Sequence, residues 1–96
     1  MTEQHAEKGS AHDVEKIVFI HDELGLHARP AARLAQAAQR FQSRITLEHD
    51  GMVADAKSIL DILSLAAGRG ASLALRCEGE DALAAAEYLE ELLKKH

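Results

Sequence analysis

The eight residues GLHARPAA, at positions 25–32, decide how this chain folds around its most distinctive side chain. A glycine suited to a turn comes first, and Pro30 fits the first turn of a helix because its missing N–H would have no partner there. The stretch predicts a turn and then a helix that begins just after His27, which places the imidazole at or near the N-cap. One apolar stripe continues along this helix: Ala31, Leu34, Ala35, Ala38 and Phe41.

Stretches on both sides of this helix have the pattern of strands. KIVFIH at 16–21 is rich in β-branched residues and ends at the polar turn DELG. Downstream, SRITLEH at 43–49 and GMVADA at 51–56 are joined at Asp50-Gly51, a pair typical of a tight hairpin. ASLALRCEG at 71–79 puts Leu73, Leu75 and Cys77 on one face and predicts a fourth strand.

Two further segments have helical periodicity. SILDILSLAA, at 58–67, predicts a short helix that stops at Gly68 and Gly70, where glycine can take the left-handed conformation. EDALAAAEYLEELLKKH, at 80–96, has acidic residues early and lysines late, which suits the helix dipole. The resulting order, βαββαβα, predicts an α+β two-layer sandwich in which three helices cover one face of a mostly antiparallel four-stranded sheet.

Length and composition fit one domain. The chain has 96 residues, 47% of them hydrophobic, and a net charge of −5, which argues against a nucleic-acid binder. Residues 1–14 are expected to form a flexible N-terminal tail, and residues 15–96 the domain. No window is apolar enough for a membrane span, and Cys77 is the only cysteine, so no internal disulfide can form. We expect a cytoplasmic monomer.

His27 is the candidate reactive group. At a helix N-terminus it lies against backbone N–H groups without helical partners and the positive end of the helix dipole, an arrangement that binds anions. If His27 carried a phosphoryl group, these N–H groups and the Arg29 guanidinium could bind its oxygens. The alternative is an ordinary surface histidine at a helix start. The other histidines lack metal-ligand spacing, so neither a metal site nor a cofactor is expected.

GLHARPAA, followed by KSILDILSL at 57–65, resembles the histidine-containing phosphocarrier protein HPr family of the bacterial phosphotransferase system. The resemblance covers about residues 15–95 and implies that family's open-faced sandwich. It also implies that enzyme I phosphorylates His27 at Nδ1 and that enzyme IIA domains receive the phosphoryl group. Arg29 would assist the transfer, and Ala28 and Pro30 would form the helix start that binds the phosphate.

The second motif has two readings at Ser58. The pattern SILD predicts that the Ser58 hydroxyl caps the helix by accepting a hydrogen bond from a backbone N–H near Asp61. The resemblance adds that Ser58 matches a regulatory serine, the target of a serine kinase in some members. The negative charge of Asp61 would repel a phosphate on Ser58, and the positive charge of Lys57 would offset part of that repulsion.

The short helix carries two apolar stripes. We expect Ile62, Leu65 and Ala66 to face the core. Ile59, Leu60 and Leu63 would then form an exposed surface for docking partners, unless both stripes are buried.

Other functions stay open at this stage. Asp22 adds a carboxylate near His27 that could repel a phosphoryl group or orient the ring. A regulatory phosphorelay, either nitrogen-type or based on Ser58, is an alternative to sugar transport. A non-catalytic protein-binding module is another, because a fold alone does not determine function.

Overall fold

Four strands and three helices follow one another in the predicted order, βαββαβα, in the computed structural model, which describes residues 12–95. No helix within these residues is long and apolar enough to cross a membrane. The elements are β1 (Asp13–Phe19), α1 (Ala28–Ala38), β2 (Arg44–His49), β3 (Met52–Asp55), α2 (Ile59–Ser64), β4 (Ser72–Glu78) and α3 (Ala82–Lys94).

The strands form one sheet in the order β1-β4-β2-β3, and every neighbouring pair is antiparallel. The hairpin between β2 and β3 turns at Asp50 and Gly51, whose φ angles of 51° and 81° are the two left-handed conformations that a type I′ turn requires. The three helices cover one face and leave the other open, so the predicted α+β sandwich is confirmed.

Alternate strand residues supply the core between sheet and helices. Ile45, Leu47, Leu73 and Leu75 are completely or almost completely buried, and Leu34 of α1 is equally buried against them. Each such side chain contributes about 1.5–3 kcal/mol through removal of apolar surface from water. The period-two pattern thus fixes which strand face meets the helices.

The first strand lies earlier than the predicted 16–21. Asp13 and Val14, assigned above to the tail, pair with Glu78 and Cys77, and the strand ends at Phe19. The acidic residues at the start of β1 face solvent on the open side of the sheet, so their charge does not prevent pairing there. Of the rest of the predicted tail, the His12 carbonyl accepts a hydrogen bond from the Gly79 N–H at 2.7 Å, and residues 1–11 lie outside the described residues.

Two helix predictions also need correction. α1 ends at Ala38, so Phe41 follows the helix and packs, half-buried, against the core. α2 ends at Ser64, earlier than predicted. Ala66 has a left-handed φ of 50° and Gly70 one of 85°, whereas Gly68 has none. The prediction that Ala66 faces the core is therefore wrong. The helix has ended before this residue, and the Ala66 side chain is exposed.

Candidate functional site

Two loops meet directly before α1. The Gly25 N–H donates to the Asp22 carbonyl (2.9 Å) and the Leu26 N–H donates to the Ala67 carbonyl (2.9 Å). Gly25 has a φ of 77°, and a Cβ there would lie 2.6 Å from the Ala67 oxygen. Only glycine fits this close approach, which ties the loop before His27 to the loop after α2.

His27 is the N-cap of α1, as predicted. Its backbone is extended (φ −90°, ψ −169°), and its carbonyl accepts the first helical hydrogen bond from Ala31 at 2.9 Å. The His27 side chain makes no capping hydrogen bond. The N–H groups of Ala28 and Arg29 precede that first helical bond and have no intrahelical partner, whereas Pro30 has no N–H. The helix start therefore offers two backbone donors beside the imidazole.

Asp22 contacts one nitrogen of the imidazole. Its Oδ1 lies 3.4 Å from His27 Nε2, and the same oxygen accepts a hydrogen bond from the Leu24 N–H at 2.9 Å. Because a carboxylate oxygen lies 3.4 Å from Nε2, the favoured neutral tautomer carries its proton on Nε2 and its lone pair on Nδ1. The His27 side chain is 35% exposed, so a partner can reach it. The geometry favours ring orientation among the two roles considered for Asp22.

The other predicted residues of the helix start have distinct surroundings. Ala28 and Arg29 are exposed, which leaves the Arg29 guanidinium accessible to an anion at the helix start. Pro30 is buried and anchors the first turn.

Ser58 caps α2, as the sequence predicts, because its hydroxyl accepts a hydrogen bond from the Asp61 N–H at 3.2 Å. It lies at the far end of α1 from His27: the side chain of Gln39, the C-cap of α1, donates to the Lys57 carbonyl at 2.9 Å. The Lys57 ammonium donates to the Phe41 carbonyl at 2.8 Å. The structure therefore does not bring Ser58 and His27 together.

The predicted docking stripe is only partly exposed. Leu60 is 79% exposed and Ile59 39%, whereas Leu63 is half-buried and packs on the core. Sequence reasoning missed Leu24, which is 76% exposed in the loop that holds His27. The sequence indicates this exposed apolar side chain only by a single leucine in the otherwise polar turn DELG at 22–25.

No other chemical centre appears in the described part of the chain. Residues 12–95 contain no group of three His, Cys, Asp or Glu side chains placed to hold a metal ion. Burial, and then the charge of Asp81, raises the pKa of the Cys77 thiol to about 11, so the thiol is not a nucleophile near neutral pH.

Comparisons with known proteins identify the family to which the chain is similar. Residues 14–95 match the family model described as the PTS HPr component phosphorylation site. The phosphocarrier protein HPr of Treponema pallidum is 44% identical over 81 residues, which cover 84% of this chain and 92% of that protein. The HPr-like protein Crh of Halalkalibacterium halodurans is 45% identical over 82 residues, covering 85% and 98%.

A solved structure gives the same result in three dimensions. The crystal structure of a phosphocarrier protein HPr from Bacillus anthracis matches with a TM-score of 0.80 and 44% identity, covering 83% of this chain and 95% of that one. The fold, the motif at His27 and the sequence similarity agree over most of the chain, which therefore belongs to the HPr family of phosphotransferase-system phosphocarriers.

Proposed function

We propose that this protein accepts a phosphoryl group on Nδ1 of His27 from phosphorylated enzyme I and passes it to enzyme IIA domains of a phosphoenolpyruvate-dependent phosphotransferase system. It acts as a covalently modified carrier and not as an enzyme. The observation that carries the proposal is the placement of His27 at the N-cap of α1 with Nε2 3.4 Å from Asp22 Oδ1.

The transfer needs no base on this chain. The Nδ1 lone pair attacks phosphorus, a nitrogen–phosphorus bond forms, and the bond from phosphorus to the donor atom on enzyme I breaks. The Nε2 proton stays on the ring, where the Asp22 carboxylate stabilises the positive charge that develops. In the second half of the cycle, the nitrogen–phosphorus bond breaks and the Nδ1 lone pair returns.

The helix start supplies the electrostatic part of the mechanism. Phosphoryl transfer spreads negative charge over the equatorial oxygens, so catalysis depends on positioning and on hydrogen-bond donors. The N–H groups of Ala28 and Arg29 and the Arg29 guanidinium are the donors next to His27. One exposed arginine holds the group without burying it, which suits a carrier that must release it.

Docking is proposed for the exposed side of α2. Ile59 and Leu60 form an apolar surface on the helix, with the half-buried Leu63 at its edge. Apolar side chains of this kind form the core of protein interfaces, so enzyme I and the IIA domains are its proposed partners.

Regulation through Ser58 is the second candidate. The observation that favours it is the similarity to a protein named HPr-like protein Crh, together with the half-buried position of Ser58 at the N-terminus of α2. A kinase that phosphorylates Ser58 would place about two negative charges beside Asp61, and the nearby Lys57 ammonium already donates to Phe41. The charge would act on docking at α2, because His27 lies at the other end of α1.

The test uses enzyme I, phosphoenolpyruvate and two matched variants. We expect the wild type and His21→Ala to gain acid-labile, base-stable phosphate, because His21 is an exposed histidine outside the proposed site. His27→Ala should gain none. Labelling that persists in His27→Ala would contradict the carrier function, and absence of labelling in every protein would favour a non-catalytic binding module.

A further inference from the structure

Positive charge is concentrated in one part of this acidic protein. Residues 24–47 contain no Asp or Glu, although the whole chain has a net charge of −5. Three of the arginines in this segment, Arg29, Arg33 and Arg40, share one side of α1 and its C-terminal extension with Gln36, because their spacings of four, three and four residues follow the helical repeat. An acid-free face is therefore presented to solvent.

Part of this face borders a groove between α1 and α3. The groove has a volume of about 290 Å³, and none of the residues that line it is acidic. Its apolar floor comes from Ala37, which is buried, and Leu92, which is half-buried and packs on the core. The lining residues are Arg33, Gln36, Ala37, Arg40, Tyr88 and Leu92.

Arg40 is held in place at one end of the groove. Its Nη1 donates to the Tyr88 hydroxyl at 3.0 Å, and its guanidinium carbon lies 5.4 Å from the centroid of the Tyr88 ring. That ring in turn contacts Phe41, with centroids 5.9 Å apart. Because the guanidinium is already ordered and has further N–H donors, binding a carboxylate there costs little additional side-chain entropy.

We propose that the groove between α1 and α3 binds an acidic amphipathic helix of a partner protein. Arg33 and Arg40 are seven residues apart, which corresponds to about 10.5 Å, or two helical turns. A partner helix with carboxylates at positions i and i+7 has the same repeat and places apolar residues at i+3 and i+4 over Ala37 and Leu92. Each carboxylate would then meet a guanidinium, the pairing with the best hydrogen-bond geometry.

A second copy of this chain fits the groove less well. The exposed acidic residues of α3, Glu87 and Glu91, are only one turn apart and do not match the arginine spacing.

This site is separate from the proposed phosphoryl site. The groove contains neither His27 nor any residue of α2, so a helix bound there would leave Ile59 and Leu60 uncovered. Its partner could therefore bind the protein whether or not enzyme I docks at α2.

The test is an NMR titration of the ¹⁵N-labelled full chain with a synthetic helical peptide that carries Glu at i and i+7 and Leu at i+3 and i+4. We expect saturable shifts confined to α1 and α3. Arg33→Gln and Arg40→Gln should each weaken binding about tenfold, because each removes one charge-assisted contact. Arg44→Gln is the matched control, because it removes an exposed arginine of the same acid-free segment on β2, outside the groove.

Four results would overturn the proposal. An equal loss of binding in Arg44→Gln, or equal binding by a peptide with Gln in place of both Glu, would indicate non-specific attraction. Saturable shifts at the groove with inorganic phosphate but not with the peptide would indicate a small-anion site. Shifts that depend only on protein concentration would indicate a second copy. Loss of His27 labelling by enzyme I in Arg40→Gln would place Arg40 in the phosphoryl relay instead.

Discussion

At the scale of single residues, one contact distinguishes the two nitrogens of His27. The Asp22 carboxylate is 3.4 Å from Nε2 and is itself positioned by the Leu24 N–H. A carboxylate at this position both fixes the tautomer and stabilises positive charge on the ring, the two tasks that an acceptor reacting through Nδ1 requires. In the proposed transfer, Asp22 therefore acts through His27, as a positioning residue.

Asp22→Asn should slow phosphoryl acceptance by about tenfold, or ~1.4 kcal/mol of transition-state stabilisation. The amide keeps the size of the side chain but removes the charge that faces the ring. Rapid-quench transfer from phosphorylated enzyme I measures the rate, and ¹⁵N NMR of the imidazole measures the tautomer ratio. We expect more of the Nδ1–H tautomer in the variant.

Glu23→Gln is the control, because it removes an equal charge from the next, exposed residue of the same loop. We expect its rate and tautomer ratio to equal those of the wild type. If the two variants behave alike, Asp22 acts only through a long-range charge effect that Glu23 shares. Its proposed role in orienting the His27 ring is then wrong.

At the scale of elements, α2 is the shortest of the three helices in residues 12–95. It has six residues, and its two ends have opposite character: Ser58 caps the start, whereas Ala66 takes a left-handed conformation just beyond the end. That conformation turns the chain so that the Ala67 carbonyl meets the Leu26 N–H. The end of α2 therefore contributes to the position of the loop before His27.

Ser58→Ala should lower the free energy of unfolding by about 1 kcal/mol, because the Asp61 N–H loses its acceptor. Urea denaturation measures the change. Ser72→Ala, which removes the same oxygen from an exposed position on β4, should change stability by less than about 0.5 kcal/mol. Equal effects of the two substitutions would show that the cap contributes nothing.

Ala66→Gly should raise the free energy of unfolding by about 0.5–1 kcal/mol, because glycine adopts a φ of 50° without the steric cost that alanine bears. The same substitution inside a helix has the opposite sign: Ala84→Gly, at an exposed position of α3, should lower stability by about 1 kcal/mol. Thermal or urea unfolding of the pair distinguishes the two signs. A loss of stability in Ala66→Gly would reject the strain at this position.

At the scale of the whole molecule, a carboxylate joins the segment after α1 to the start of α3. Asp81 accepts hydrogen bonds from the N–H groups of Gln42 (2.8 Å) and Ser43 (2.9 Å) and from the Ser43 hydroxyl. The Ser43 hydroxyl and then these backbone donors hold the pKa of the Asp81 carboxyl below its ordinary value. Within residues 12–95, Ser43 is the one buried polar residue, and it directly precedes β2, so this network links the start of β2 to the start of α3.

The lowered pKa of Asp81 predicts the sign of a pH effect on stability. Because the folded state favours the ionised carboxyl, this contribution is present at neutral pH and is lost as pH falls below about 4, through the folded-state pKa. In Asp81→Asn, urea denaturation should therefore show less loss of stability between pH 7 and pH 3 than in the wild type. Glu80→Gln, an exposed neighbour, should keep the wild-type dependence. Identical slopes in all three proteins would contradict the assignment.

Periodic patterns sufficed for the element order, the burial of Leu73, Leu75 and Cys77, and the capping positions of His27 and Ser58. They failed where tertiary contacts decide the structure. The start of β1 depends on pairing with β4, the left-handed Ala66 on the contact between two loops, and the stacking of Arg40 on Tyr88 on the packing of α1 against α3. The contact of Asp22 with Nε2 depends on the left-handed turn at Gly25, which brings a residue five positions earlier back to the imidazole.

Phosphoryl transfer to Nδ1 of His27 is tested most directly by ³¹P and ¹⁵N NMR of the full chain after phosphorylation by enzyme I and phosphoenolpyruvate. We expect one phosphoryl group bonded to Nδ1 of His27, with a proton retained on Nε2. A phosphoryl group on Nε2 of His27, or on any other residue, would contradict it.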